Sequence, residues 1–404
     1  MRVALVYPGI PPEEGGGYTF LDTVVEALRD AEPATRHHFV HYTLFGTRPG
    51  VYETKRIPSG RVHRFRNRAI RLLRAVQDFL GMRRWGIRTW FERSLEEEGI
   101  DLVWFATSYA EECDLPFIFT VLDLAHVEQP WYPEVSRDGE WERRQHRYSR
   151  FLSKASTVIV PNEAGERSVK RHFPVRGDRI LRLPHPTPTF ALRAGNDPGS
   201  RGLLERHRIE EPYLFYPAQF WAHKNHYTLL EAIAELERRD RRFTAVCVGS
   251  DRGQRHHVHD AARRLSIADR VNVLGFVQTD ELIALYRHAH ALVFLSLFGP
   301  ENLPPLEAFA LGCPVVAADV PGAREQMGNA ALLVPATDAV GVADAVERLD
   351  DQELRTELCE RGRRQAEERT GAGYVEGVLE FLDGFDRIRR SWPLHRTSSL
   401  RGRE

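Results

Sequence analysis

Short apolar runs recur along the 404-residue chain: Arg2 to Tyr7 (RVALVY), Phe39 to Leu44, Asp101 to Ala106, Phe117 to Val121, Thr157 to Pro161 and Ile180 to Pro184. Each is too short for a typical helix and too uniformly apolar for a half-exposed strand, so each reads as a strand buried on both faces. Amphipathic stretches lie between them. Leu21, Val24, Val25 and Leu28, for example, share one helical face. A polar, Gly- and Pro-rich segment, Phe190 to Gly202, then interrupts the pattern, as a linker does. It resumes with Tyr213 to Pro217, Thr244 to Gly249, Val271 to Leu274, Ala291 to Leu297 and Pro314 to Ala318. Strands alternating with helices predict α/β architecture with doubly wound parallel sheets, here two of them. The predicted organisation is a first Rossmann-like domain over 1–190, a linker over 191–202 and a second domain over 203–372. An amphipathic helix over 373–390 and a polar tail over 391–404, expected to be disordered, follow.

Composition adds limits. The chain is 42% apolar and 28% charged with a formal net charge of −1, which gives no reason to expect a nucleic-acid partner. Four scattered cysteines (Cys113, Cys247, Cys313, Cys359) suit free thiols in a reducing compartment. No apolar run reaches the roughly 20 residues of a membrane span, and MRVALVYPG is too short for a signal core. The expected location is cytoplasmic. Charge is nevertheless uneven, since Lys55 to Arg93 holds twelve Lys/Arg and two acids. Ile70, Leu73, Val76 and Leu80 share a helical face within that block, with Phe79, Trp85, Trp90 and Phe91 close by. Two readings stay open for it: peripheral contact with an anionic membrane through 55–93, and a helix packed on its own domain.

The stretch richest in candidate chemistry is FGPENLPPLEAFALGCPVVAAD, Phe298 to Asp319. It follows an apolar strand, opens a short helix at Pro304 and Pro305, and ends that helix at Gly312. Its loop lies at the carboxyl end of a strand, where open α/β sheets bind ligands. N–H groups near Asn302 and Leu303 at a helix start suit a phosphate. Glu307, in the first turn, can accept hydrogen bonds from two neighbouring hydroxyls such as those of a ribose. Near the N-terminus, Gly15-Gly16-Gly17 allows close approach of backbone to ligand, although its spacing is neither the dinucleotide nor the P-loop motif.

The segment LPPLEAFALGCPVVAADVPGAREQMGNAALLVP closely resembles the donor site of retaining, family 4 glycosyltransferases of the GT-B fold. The resemblance implies two Rossmann-like domains facing a cleft, with a final helix crossing back to the first domain. It assigns Glu307 to the ribose of a nucleotide diphosphate sugar. The family's first glutamate falls at Gly299 here, and Glu301 is the candidate replacement for contacts to the donor sugar. Lys224 matches the family's lysine at the diphosphate. The arginine five residues earlier is replaced by Gln219, which donates a hydrogen bond without charge. Gly16 and Gly17 match a glycine-rich loop facing the donor phosphates or the acceptor. Gly275 and Phe276 fall where the base packs. His126, in the segment DLAH, is the candidate active-site histidine, since the place of the family's histidine in His-Asp members holds Leu122. Trp131, Tyr132 and Pro133 would form an apolar wall on the acceptor side.

The chain contains no D-x-D motif, and the cluster His256, His257, His259, Asp260 reads as a solvated helix start. The expectation is therefore metal-independent chemistry with no cofactor beyond the nucleotide-sugar substrate. The sequence-level reading is a retaining transferase that moves a hexose, mannose- or rhamnose-like, to a glycan or lipid-linked acceptor at the inner membrane face. The alternatives are a nucleotide-sugar epimerase or hydrolase of the same fold, and a non-catalytic scaffold that binds a nucleotide sugar.

Overall fold

A computed structural model describes residues 1–9, 15–43, 54–58, 88–195 and 202–392, with isolated positions 11, 13, 65, 69, 70, 72, 73, 76, 77, 79 and 80. The first sheet has seven strands: β1 (Arg2–Tyr7), β2 (His38–Thr43), β3 (Thr54–Arg56), β4 (Leu102–Phe105), β5 (Phe117–Thr120), β6 (Thr157–Val160) and β7 (Ile180–Arg182). Their order is β3-β2-β1-β4-β5-β6-β7, with every pairing parallel. The second sheet has six: β8 (Tyr213–Pro217), β9 (Thr244–Val248), β10 (Val271–Gly275), β11 (Ala291–Phe294), β12 (Val315–Ala318) and β13 (Ala331–Val334). Their order is β10-β9-β8-β11-β12-β13, again all parallel. Both sheets reverse direction of winding beside their first strand, which opens a crevice at the carboxyl ends of the strands.

The uniformly apolar runs are strands because helices cover both faces. Every residue of β4, β5 and β6 is buried. Burying a Val, Leu, Ile or Phe side chain stabilises by roughly 1.5–3 kcal/mol, so such strands hold the core. The one polar atom of Trp104, fully buried in β4, is satisfied because its indole N–H donates to Thr120 Oγ1 at 3.3 Å.

The chain leaves the first domain through Leu183–Thr189 and returns at Arg369. The two crossings are bonded to each other. Thr187 N–H donates to the Arg369 carbonyl at 2.7 Å, and its hydroxyl donates to the Ala366 carbonyl at 2.8 Å. The last described helix, Gly371–Arg389, starts at a Thr370 cap that accepts from Gly373 N–H. It then lies on helix Gly16–Ala31 of the first domain. At Gly371 any Cβ would come within 2.9 Å of Ala27 Cβ and 3.0 Å of the Thr23 carbonyl, so the two helices meet where there is no side chain. Phe20 and Tyr374 pack edge to face at 5.5 Å beside this contact.

Several sequence expectations fall partly or wholly outside the described residues: the linker at 196–201, the tail at 393–404 and most of the basic block. Within that block Ile70 and Phe91 are buried, whereas Leu73, Val76, Phe79 and Leu80 are exposed. Among the described residues no helix is long and apolar enough to cross a membrane. His256, expected to be solvated, pairs with Asp260 on the exposed helix Arg255–Arg264.

Candidate active site

Between the sheets lies a cleft of about 500 Å³, lined from both domains. Two helix N-termini open onto it. Gly16 begins helix Gly16–Ala31, Leu303 begins helix Leu303–Ala310, and a Cβ on Gly16 would stand 3.9 Å from Leu303 Cδ1. The positive ends of two helix dipoles therefore converge on one place. On the Leu303–Ala310 side amide donors are sparse. Pro304 and Pro305 carry no N–H, and the Asn302 N–H, expected to be available, donates to Gln326 Oε1 at 3.1 Å. Leu303 is left as the amide at the helix start. Charge neutralisation consequently falls on side chains.

Lys224 supplies it. Its Nζ lies 3.2 Å from Asn302 Oδ1 and 3.4 Å from Ser296 Oγ, and it sits over the Phe294 ring at 5.1 Å. Asn225, in the left-handed conformation, caps the following helix and fixes the turn that aims the lysine. Burial lowers the Lys224 pKa to about 8, against the pull of Asp123 and Glu134. Gln219 also lines the cleft but serves another purpose. Its Nε2 donates to the Glu13 carbonyl of the glycine loop at 2.9 Å while its Oε1 accepts from Trp221 Nε1. Ser250 Oγ donates to the same Glu13 carbonyl at 2.9 Å. Two side chains of the second domain thus hold the loop that carries Gly15, Gly16 and Gly17.

Glu307 is buried, with Oε2 accepting from Tyr286 Oη at 2.6 Å. Burial raises its carboxyl to about pH 7, with Tyr286 opposing. It lines the cleft together with Phe276 and Val277, and the Phe276 ring is 43% exposed there. Gly275 does not line the cleft. It takes φ +76° at the end of β10, and its carbonyl accepts from Gly249 N–H at 2.8 Å, so it turns the chain that presents Phe276.

Glu301 and His126 differ most from their sequence-based roles. The loop brings Glu301 to the cleft wall, but its carboxylate is fully buried and points at the hinge. Oε1 accepts from Arg369 Nη1 at 2.7 Å and Oε2 from His185 N–H at 2.6 Å. Burial lifts it to about pH 7 against the opposing Arg369 charge. A group held on both oxygens this way is not presented to a sugar hydroxyl. Gly299, in the place of the family's first glutamate, has φ +131°, and a Cβ there would fall 2.7 Å from Asn302 Nδ2. A glutamate at 299 is incompatible with that asparagine as placed. His126 is fully buried outside the cleft lining, stacked on Tyr148 at 5.0 Å and edge-on to Trp141. Burial, aided by Arg144, lowers its pKa to about 4. The helical turn Ala125–Glu128 carries it into the core, against Tyr148 and Trp141.

The wall opposite the loop at Phe298–Asn302 is made by Asp123, Tyr132, Glu134 and Arg144. Asp123 Oδ1 accepts from Arg144 Nη1 at 3.2 Å and from Ala125 N–H at 2.9 Å. Glu134 reaches across the cleft, accepting from His223 N–H at 3.0 Å and contacting His223 Nδ1. Burial pushes the Glu134 carboxyl up, but the His223 hydrogen bonds outweigh it and hold it below its ordinary value. Trp131, one residue from the lining, is 66% exposed. Sequence reasoning placed Tyr132 on this wall and missed Glu134, Arg144 and His185. Glu134 and His185 meet partners far away in sequence, His223 and Glu301, so only the fold brings those pairs together.

Residues 205–369 match the family described as glycosyl transferases group 1. The chain is 28% identical over 213 residues to the alpha-D-kanosaminyltransferase of Streptomyces kanamyceticus, covering 52% of this chain and 55% of that one. The chain spans little more than half the length of the first curated relatives that it matches, 55%, 59% and 60% of them. Among solved structures, sucrose-phosphate synthase of Thermosynechococcus elongatus is similar at a TM-score of 0.70 and 20% identity, over 96% of this chain and 99% of that one. The HepE protein of Anabaena in complex with UDP-glucose is similar at a TM-score of 0.69 and 16% identity, over 95% and 100%. At such identities these structures speak for the fold, which is GT-B. The fold is GT-B, and its second domain, over residues 205–369, is similar to the group 1 glycosyltransferases.

Proposed function

We propose that the protein transfers a hexose from a nucleoside diphosphate sugar to a hydroxyl of a glycan or lipid-linked glycan, with retention of configuration and without a metal. The observation that carries this reading is the arrangement along the cleft. The exposed face of Phe276 suits the base, the buried Glu307 suits the ribose, and Lys224 with two converging helix N-termini suits the diphosphate. All of these groups line one cleft, and a nucleoside diphosphate has these three parts. The sugar then projects toward Asp123, Tyr132 and Arg144. As the glycosidic bond breaks, charge grows on the leaving diphosphate, and a buried cation fixed by Ser296 and Asn302 is prearranged to stabilise it. Retention is taken from the resemblance of the donor segment, in which the leaving phosphate receives the acceptor's proton on the same face. Uridine nucleotides head the donor panel because HepE is similar in fold, and mannose and rhamnose donors belong in the same panel. Peripheral docking of 55–93 on an anionic membrane is part of the reading, and cosedimentation with acidic vesicles tests it.

A thermal-shift panel of nucleoside diphosphate sugars against the wild type and Glu307→Ala is the primary test. A shift with one donor that the variant loses supports the reading, and the absence of a shift with every donor refutes it. Turnover that needs an acceptor separates transfer from hydrolysis and epimerisation. The anomeric coupling of the product checks retention, and full activity in EDTA checks metal independence.

A further inference from the structure

The two chain crossings between the domains and the loop that faces the donor share one carboxylate. Glu301 belongs to the loop between β11 and helix Leu303–Ala310. One of its oxygens accepts from His185 N–H on the outgoing crossing, and the other from Arg369 on the returning one. The crossings are themselves tied, Thr187 N–H to the Arg369 carbonyl. The same loop is gripped elsewhere by the first domain. Asn162 Nδ2 donates to the Pro300 carbonyl at 2.6 Å, and Gln129 Nε2 to the Leu297 carbonyl at 3.0 Å. Behind it, Gln326 accepts from Asn302 N–H and donates to the Asn302 carbonyl at 2.6 Å. Arg369 also donates to the Glu325 carbonyl at 3.2 Å.

A hinge works by changing φ and ψ at a few residues where the chain crosses. Here those residues cannot turn without moving the donors that hold Glu301. Its carboxyl is fully buried and bonded on both oxygens, so releasing one partner leaves a polar group unsatisfied in a water-poor place. The arrangement is therefore two-state: loop and hinge are set together or released together. We propose that Glu301 and Arg369 are positioning residues that couple closure of the domains to the conformation of the donor loop, so that Asn302, Leu303 and the Lys224 contact are set only when the first domain is in place. The catalytic consequence rests on the transferase reading: an acceptor held by the first domain would license turnover, and idle hydrolysis of the donor would be suppressed.

Hydrogen exchange on the full chain tests the coupling, with wild type, Glu301→Gln, Arg369→Met and the double variant compared with and without UDP. Glu301→Gln keeps the shape and an acceptor for His185 while removing the charge. Amides of 297–306 should exchange at least about tenfold faster in both single variants, with β8 and β12 unchanged. The double variant should exchange no faster than the worse single one, as for groups that act as a pair. In the wild type, UDP should slow both 297–306 and the crossing at 183–190, and Arg369→Met should lose the second response. Unchanged exchange of 297–306 in Glu301→Gln overturns the proposal, as does a uniform rise across both sheets, which marks a purely structural role. With a donor, the ratio of hydrolysis to transfer should rise about tenfold in Glu301→Gln, while an equal fall of both overturns the coupling. A wild type that neither binds UDP nor turns over any donor refutes the transferase reading instead, and apo exchange still decides the clasp.

Discussion

Glu307→Gln separates what the donor site costs from what it does. In the folded protein burial moves the Glu307 carboxyl from an ordinary 4.5 to about 7. At about 1.36 kcal/mol per pH unit, holding it ionised above pH 7 costs about 3 kcal/mol of stability. The sign follows from proton counting. Between 4.5 and 7 the folded state keeps the proton that the unfolded state has lost, so stability falls as pH rises through this window and the full cost is present above it. Glutamine has nearly the same volume, keeps an acceptor for Tyr286 Oη and turns its amide toward the cleft. The substitution should therefore stabilise the free protein at pH 8 by about 1–3 kcal/mol, a rise in Tm of roughly 2–4 °C per kcal/mol for a domain of this size. At pH 5, where the folded carboxyl is already protonated, the gain should nearly vanish. Donor affinity should move the opposite way, because an ionised acceptor for two hydroxyls is lost at about 1.5–3 kcal/mol per charged hydrogen bond. Differential scanning fluorimetry at pH 5 and pH 8, with and without UDP, reads all of this. A variant less stable than the wild type at pH 8, or equally stabilised at both pH values, would refute the reasoning.

Lys224 should give a basic limb to donor binding: with its pKa lowered to about 8, the cation is lost as pH rises through that value. UDP affinity measured by calorimetry should fall above pH 8, Lys224→Arg should flatten the fall, and Lys224→Met should weaken binding by roughly 1.5–3 kcal/mol at pH 7. His126→Phe should preserve its stack on Tyr148, so turnover and Tm should stay near wild type, whereas His126→Ala should lose about 2–4 kcal/mol in chemical denaturation with folded-state turnover intact. Gln219→Ala should release the glycine loop by removing the hydrogen bond to the Glu13 carbonyl, seen as faster proteolysis around Glu13 and a raised donor KM, with Ser250→Ala adding to it.

Much of the fold was legible because a parallel strand buried on both faces leaves a mark in few other structures. RVALVY and ALVFLSL each became a sheet strand, and the second run of strands after Tyr213 formed a sheet of its own. Glu307, Lys224 and Phe276 were legible for a related reason. Each is presented by a local device, a helix start, a capped turn or a glycine bend, that a few neighbouring residues encode. Glu301 and His126 were not, because proximity in sequence says where a residue is but not which way it points. Glu301 turns away from the cleft because Arg369 and the amide of His185 await it, and nothing near position 301 announces them. His126 turns inward against Tyr148, on which it stacks, and Trp141, both on helix Glu140–Phe151. Glu134 was missed since its partner, His223, lies in the other domain.

The docking of helix Gly371–Arg389 on helix Gly16–Ala31 has a consequence for how the protein is made. The first domain is synthesised early, yet the apolar face around Phe20 is covered by Tyr374, from the far side of the second domain. At roughly 5–20 residues per second, the ribosome leaves that face uncovered for on the order of ten seconds or more. A nascent chain in this state exposes apolar surface to its neighbours, so deleting residues from 371 onward should yield an aggregating first domain, not merely a shorter chain. Chaperone dependence during synthesis, and relief of it when the helix is supplied in trans, would follow from the same geometry.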